Sequence, residues 1–219
     1  MIDFKNMTQE ERDAYNKATK IWEKTNGKVR VEILNTALFN IDKLVINFQK
    51  YDSSNKQNGF IAYYINPSKA LGFCNKVING QILNAAKKMK DLKAKNPNVA
   101  LPDLFKDMGG MTPEKVIASQ TSGNNLLHGL NFSLQKGEAL SRTLNITVGD
   151  KVLFLLAAHA CPGVQNPQGL IVPKKDTRRL DILIGLSSDE LMELASVTKP
   201  VLEAYFTDKS YTMAKKYFI

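Results

Sequence analysis

The apolar residues of this chain recur at two periods, and the switches between them mark its elements. Over residues 8–24, Tyr15, Ala18, Ile21 and Trp22 follow helical spacing behind a Thr8–Glu11 capping box, which predicts an N-terminal helix. The period then drops to two. Val29, Val31 and Ile33 alternate with Lys28, Arg30 and Glu32, and Leu44, Ile46 and Phe48 alternate with Val45, Asn47 and Gln49. A polar loop precedes a third such run over 60–65. Three strands with short connections predict an antiparallel meander. Asn66 and Pro67 then read as the N-cap and first position of a helix carrying Leu71, Phe73, Cys74, Val77 and Ile78. Gly80 breaks it, and a second helix follows with Ile82, Ala86 and Met89 on one face.

Residues 96–125 hold prolines, glycines and short helical patterns, one opened by Thr112 and Pro113, and read as a connection. The strand period returns at Leu130, Phe132 and Leu134, at Leu144, Ile146 and Val148, and over 151–160. After a long polar loop, the run 179–186 enters a helix at a Ser187–Glu190 capping box, with Pro200 kinking that helix or starting a new turn.

Both halves thus share a plan of meander, polar loop, last strand and capped helix. A shift of 121 residues lays Ile61, Tyr63 and Ile65 on Ile182, Ile184 and Leu186, and Asn66 on Ser187. The expected fold is α+β: one domain over 1–219 with pseudo-repeats at about 28–80 and 126–206, an N-terminal helix at 8–24 and a helical insertion at 81–125.

A duplicated unit of antiparallel meander plus one helix resembles the Whirly single-stranded DNA-binding proteins. It is also similar to the positive-cofactor-type single-strand binders and the mitochondrial guide-RNA-binding proteins. The likeness is one of architecture over residues 28–80 and 126–206. The Lys-Gly-Lys-Ala-Ala signature of plant Whirly proteins is absent, so no site residue is carried over from it. The resemblance implies a fold whose sheet edges and loops hold single strands, in a symmetric homo-oligomer.

Charge points the same way. Thirty Lys and Arg against 21 Asp and Glu leave a net charge of +9, which favours anionic partners. Single-strand binding needs cations along the phosphates and flat groups for the bases. Lys28, Arg30, Lys43, Lys50, Tyr51, Tyr63 and Tyr64 offer both on the first meander, although alternation turns one of Tyr63 and Tyr64 into the core. Arg142 is a further candidate. In the run 174–179, Lys174, Lys175, Arg178 and Arg179 surround Asp176 at the entry to a strand. The lysines at 87, 88, 90, 93 and 95 read as the solvated face of a helix.

No enzymatic chemistry is expected. His159 and Cys161 share a strand face without a third, orienting group, and the phosphate-binding patterns GxxxxGK[ST] and GxGxxG do not occur. Cys74 and Cys161 read as reduced, and with His128 and His159 they lack zinc spacing, so neither metal nor cofactor is expected. No apolar run approaches a membrane span, and the polar N-terminus has no leader-like segment, which places the chain in the cytoplasm or on a nucleoid. Two roles fit: a single-stranded nucleic-acid binder with little sequence preference, in replication, recombination or DNA transfer, or a phage or mobile-element assembly protein whose basic patches contact an acidic protein.

Overall fold

The computed structural model describes residues 8–121, 127, 129–175, 177 and 179–218. The first capping box forms: the Thr8 amide donates to the Glu11 carboxylate at 2.8 Å, and the Glu11 amide to Thr8 Oγ1 at 3.2 Å. It opens α1 (Gln9–Thr19). The helix ends before Ile21, in contrast to the expected span. Lys20–Thr25 is a strand, β1, antiparallel to β2 (Val29–Leu34) with Trp22 opposite Ile33. The hairpin closes at Asn26–Gly27, where Gly27 takes φ +82° and Asn26 Oδ1 accepts from the amides of Lys28 and Val29. Asn-Gly is a strong hairpin signal. It outweighs a helical pattern whose last apolar residues fit either period.

After the short α2 (Leu38–Ile41) come β3 (Leu44–Tyr51) and β4 (Gln57–Ile65). The first sheet therefore has four strands, in the order β1-β2-β3-β4, where the sequence pattern showed three. Its registers put Val31, Phe48 and Ile61 in one row across the inner face, and all three are buried. β4 runs directly into α3 (Pro67–Ile78). Asn66 holds the cap position with extended backbone, but its side chain does not cap; its Oδ1 accepts from Lys43 Nζ at 3.1 Å. Gly80, at φ +77°, separates α3 from α4 (Gln81–Lys95).

The second sheet comprises β5 (Phe105–Met111), β6 (Ala139–Val148), β7 (Phe154–Gln165), β8 (Ile171–Pro173) and β9 (Leu180–Leu186). Its order is β5-β6-β7-β8, with β9 also on β7, and every pairing is antiparallel. β5 lies inside the stretch read as a connection, which also holds α5 (Pro113–Thr121). Conversely, Leu130, Phe132 and Leu134 alternate without forming a strand. They lie in a loop that packs against the core, and its Gly129 carbonyl accepts the Phe60 amide at 2.9 Å, closing part of the β4 edge.

β9 feeds α6 (Ser188–Phe218) through the expected Ser187–Glu190 capping box. The helix continues through Pro200 as one element and packs on α3 and β1. It is anchored by a Lys24–Glu190 ion pair and by Asp42, which accepts from Tyr205 Oη and Lys209 Nζ at 2.6 Å each. One apolar core joins both sheets, from Phe48 and Ile61 to Ile182, Ile184 and Leu186. The molecule is thus a mixed α/β protein of two antiparallel sheets, each of whose last strands leads straight into a helix.

Candidate functional site

β4 and β5 are the terminal strands of their sheets. Beside them opens a groove of about 700 Å³ with contributions from both halves of the chain. Lys43 enters from the turn before β3, Tyr63, Tyr64 and Asn66 from β4 and its end, Lys69 from the first turn of α3, Asp107 to Met111 from β5, Lys115 from α5 and Arg142 from β6. Among the described residues, four cations therefore share the groove with a single carboxylate, and their charge dominates it.

Four of the candidates read from the sequence meet here: Lys43, Tyr63, Tyr64 and Arg142. Their roles differ. Tyr63 is 1% exposed and offers no ring face to a ligand; its hydroxyl donates to Asp107 Oδ2 at 3.0 Å. Burial, then the Asp107 charge and hydrogen bond, raise its pKa far above the ordinary value. Tyr64 is half-buried and lines the groove, with its pKa also raised by burial. Arg142 is buried, and desolvation lowers its pKa while the two tyrosines act in the opposite sense. Such a guanidinium stays charged at any physiological pH.

Three charged groove residues, Lys69, Asp107 and Lys115, escaped the sequence reading. Asp107 is 7% exposed and accepts from Lys69 Nζ at 2.5 Å through Oδ1. Lys115 is exposed on α5. Two apolar side chains in the groove wall, Ile41 and Met108, are 59% and 47% exposed. A lysine placed against the positive end of the α3 dipole was the one available signal, because a cation there is unfavourable without an anion to offset it.

The other candidates lie elsewhere. Lys28, Lys50 and Tyr51 stand at the far end of the first sheet, eight residues along β3 from Lys43 and so roughly 25 Å away. The Tyr51 hydroxyl donates to Gln49. Arg30 does not form an open cationic face. It lies 3.0 Å from Glu23 and 2.7 Å from Glu32, with Lys20 joining both carboxylates, and this balances the charge of that sheet face.

The loop cluster is also largely compensated. Lys174 pairs with Glu138 at 2.8 Å, and Arg179 with Asp181, leaving Lys175 exposed; Arg178 lies outside the described residues. On α4, Lys93 pairs with Asp150 at 2.6 Å. His159 does have an orienting carboxylate, contrary to the sequence reading, since its Nδ1 lies 2.5 Å from Asp181 Oδ1 on the neighbouring strand. The Cys161 thiol beside it is buried, and desolvation raises its pKa, the opposite of what activates a nucleophile. His128 lies outside the described residues.

Among the described residues, no three His, Cys, Asp or Glu side chains gather as a metal site, and no helix is long and apolar enough to cross a membrane. Comparison with protein-family models, with curated proteins and with solved structures returns no match to this chain.

Proposed function

We propose that the groove beside β4 and β5 binds single-stranded nucleic acid. The observation that carries this reading is the convergence of Lys43, Lys69, Lys115 and Arg142 with the half-buried Tyr64 and the exposed Ile41 and Met108. Cations alone would serve any polyanion. Cations beside flat and apolar surfaces suit a chain of alternating phosphates and unstacked bases. The volume suits a small-molecule-sized portion of a strand, whereas a duplex keeps its bases stacked and away from such walls.

The strand–helix order of each half supports the resemblance to Whirly proteins, and with it two pseudo-repeats and assembly as a homo-oligomer. On this reading the protein acts by binding, without catalysis, in the cytoplasm or on a nucleoid, in replication, recombination or DNA transfer.

Fluorescence anisotropy with short oligonucleotides over a salt series tests the reading. Each phosphate neutralised on a single strand contributes a slope of roughly −0.7 in log K against log salt. The double variant Lys43→Ala/Lys115→Ala should weaken binding and flatten that slope by about one to two units. The variant Lys174→Ala/Lys175→Ala/Arg179→Ala should change it less, because two of its three cations already have carboxylate partners. Tighter binding to duplex than to single strand, or an unchanged slope in the groove variant, would overturn the proposal.

A further inference from the structure

We infer that Lys69 and Asp107 read the Watson–Crick edge of a guanine, making guanine the base held in the groove; the inference rests on the single-strand reading above. Among the described residues, Asp107 is the only carboxylate in a wall of cations, which is an odd placement if the groove serves phosphates alone. A carboxylate repels phosphate oxygens and accepts from N–H groups. In a single strand, the N–H groups belong to the bases.

The arrangement around this carboxylate has an order. Lys69 Nζ donates to Oδ1 at 2.5 Å and Tyr63 Oη donates to Oδ2 at 3.0 Å. Each oxygen keeps acceptor capacity, because an ionised carboxylate has about four lone-pair sites. The sequence of groups is therefore ammonium donor, acceptor, acceptor. Guanine presents the complement in the same order: O6 accepts, N1–H donates and the 2-amino group donates.

Thymine and uracil match at the first two places, then bring a carbonyl against the second carboxylate oxygen. Cytosine brings its amino group to the ammonium or its ring nitrogen to a carboxylate oxygen, and both pairings are repulsive. Adenine offers an amino donor where the ammonium also donates. The carboxylate is held in place by Tyr63, itself buried, so little ordering is needed when a base arrives. The expected result is a preference for guanine at one position of an otherwise indifferent strand, sharper than the general absence of preference expected from charge alone.

The test uses the full chain and an oligo(dT) strand with one central substitution. Guanine should bind about tenfold more tightly than thymine at that position, the scale of one good bidentate base contact. Hypoxanthine, which lacks only the 2-amino group, should fall between them. Asp107→Asn should remove the difference between guanine and thymine, because a carboxamide no longer offers two acceptors side by side.

Equal affinity of the wild-type protein for the three strands overturns the inference but leaves single-strand binding in place. Absence of binding to all three overturns the single-strand reading itself. Retention of the guanine preference in a folded Asp107→Asn protein also overturns the inference. If that variant does not fold, the hypoxanthine substitution still decides the question, because it alters only the ligand.

Discussion

The Tyr63 hydroxyl donates to Oδ2 of Asp107 at 3.0 Å, tying the edge of one sheet to the edge of the other. Replacing Tyr63 with Phe keeps the buried ring and removes only this bond. The variant should lose about 1.5–3 kcal/mol in urea unfolding, the scale of a hydrogen bond to a charged group.

The same residue gives a pH dependence. Burial and Asp107 raise the Tyr63 pKa above its ordinary 10.0, so the unfolded chain gives up this proton first. Stability from this group is whole below about pH 10 and is lost as pH rises beyond it. Unfolding free energy measured from pH 8 to 11 should fall less steeply in Tyr63→Phe than in the wild type.

Trp22 is the only tryptophan and is 6% exposed on the inner face of β1. Its emission should be blue-shifted and should move to the red in the same transition that circular dichroism reports. Trp22→Ala should cost about 3–5 kcal/mol. An emission typical of an exposed indole in the native protein would contradict the strand assignment.

Gly109 and Gly110 are neighbours with different constraints. A Cβ at Gly110 would stand 2.4 Å from the Leu140 carbonyl oxygen, a backbone atom of the paired strand. At Gly109 its nearest neighbour is the Tyr63 hydroxyl at 3.5 Å, an ordinary contact. Gly110→Ala should therefore lower stability by about 1–3 kcal/mol or more, while Gly109→Ala should remain close to wild type in thermal melts.

Ser187→Ala removes the side-chain acceptor for the Glu190 amide at 3.2 Å. The expected cost is about 1 kcal/mol. A midpoint in urea equal to that of the wild type would show that the Lys24–Glu190 pair fixes this end of α6 without the cap.

Most strands were legible because their buried sides alternate cleanly, as in β2 and β9. β1 was not, since Ile21 and Trp22 extend the spacing of the helix before them. β5 was hidden for a different reason. Its buried positions are Asp107 and Met111, with Gly109 between them, so the alternation carries no apolar signature. The inward residue serves the groove instead of the core.

The groove was legible only in part. Lys43, Tyr64 and Arg142 stood out by residue type, but nothing local distinguishes them from Lys28 or Arg30. What separates them is the surroundings: Arg30 meets Glu23 on the neighbouring strand and Glu32 on its own, whereas Lys43 meets an asparagine. Lys69 and Asp107 are 38 positions apart, and their pairing exists only once the sheet edges lie side by side.

The anchoring of α6 also has a consequence for synthesis. Lys24 meets Glu190 across 166 positions and Asp42 meets Tyr205 across 163. At about 5–20 residues per second, a ribosome releases β1 roughly ten to thirty seconds before the helix that covers it. Through that interval the inner side of β1, with its lone indole, has no α6 to pack against. Apolar surface uncovered for that long is what a nascent-chain chaperone shields.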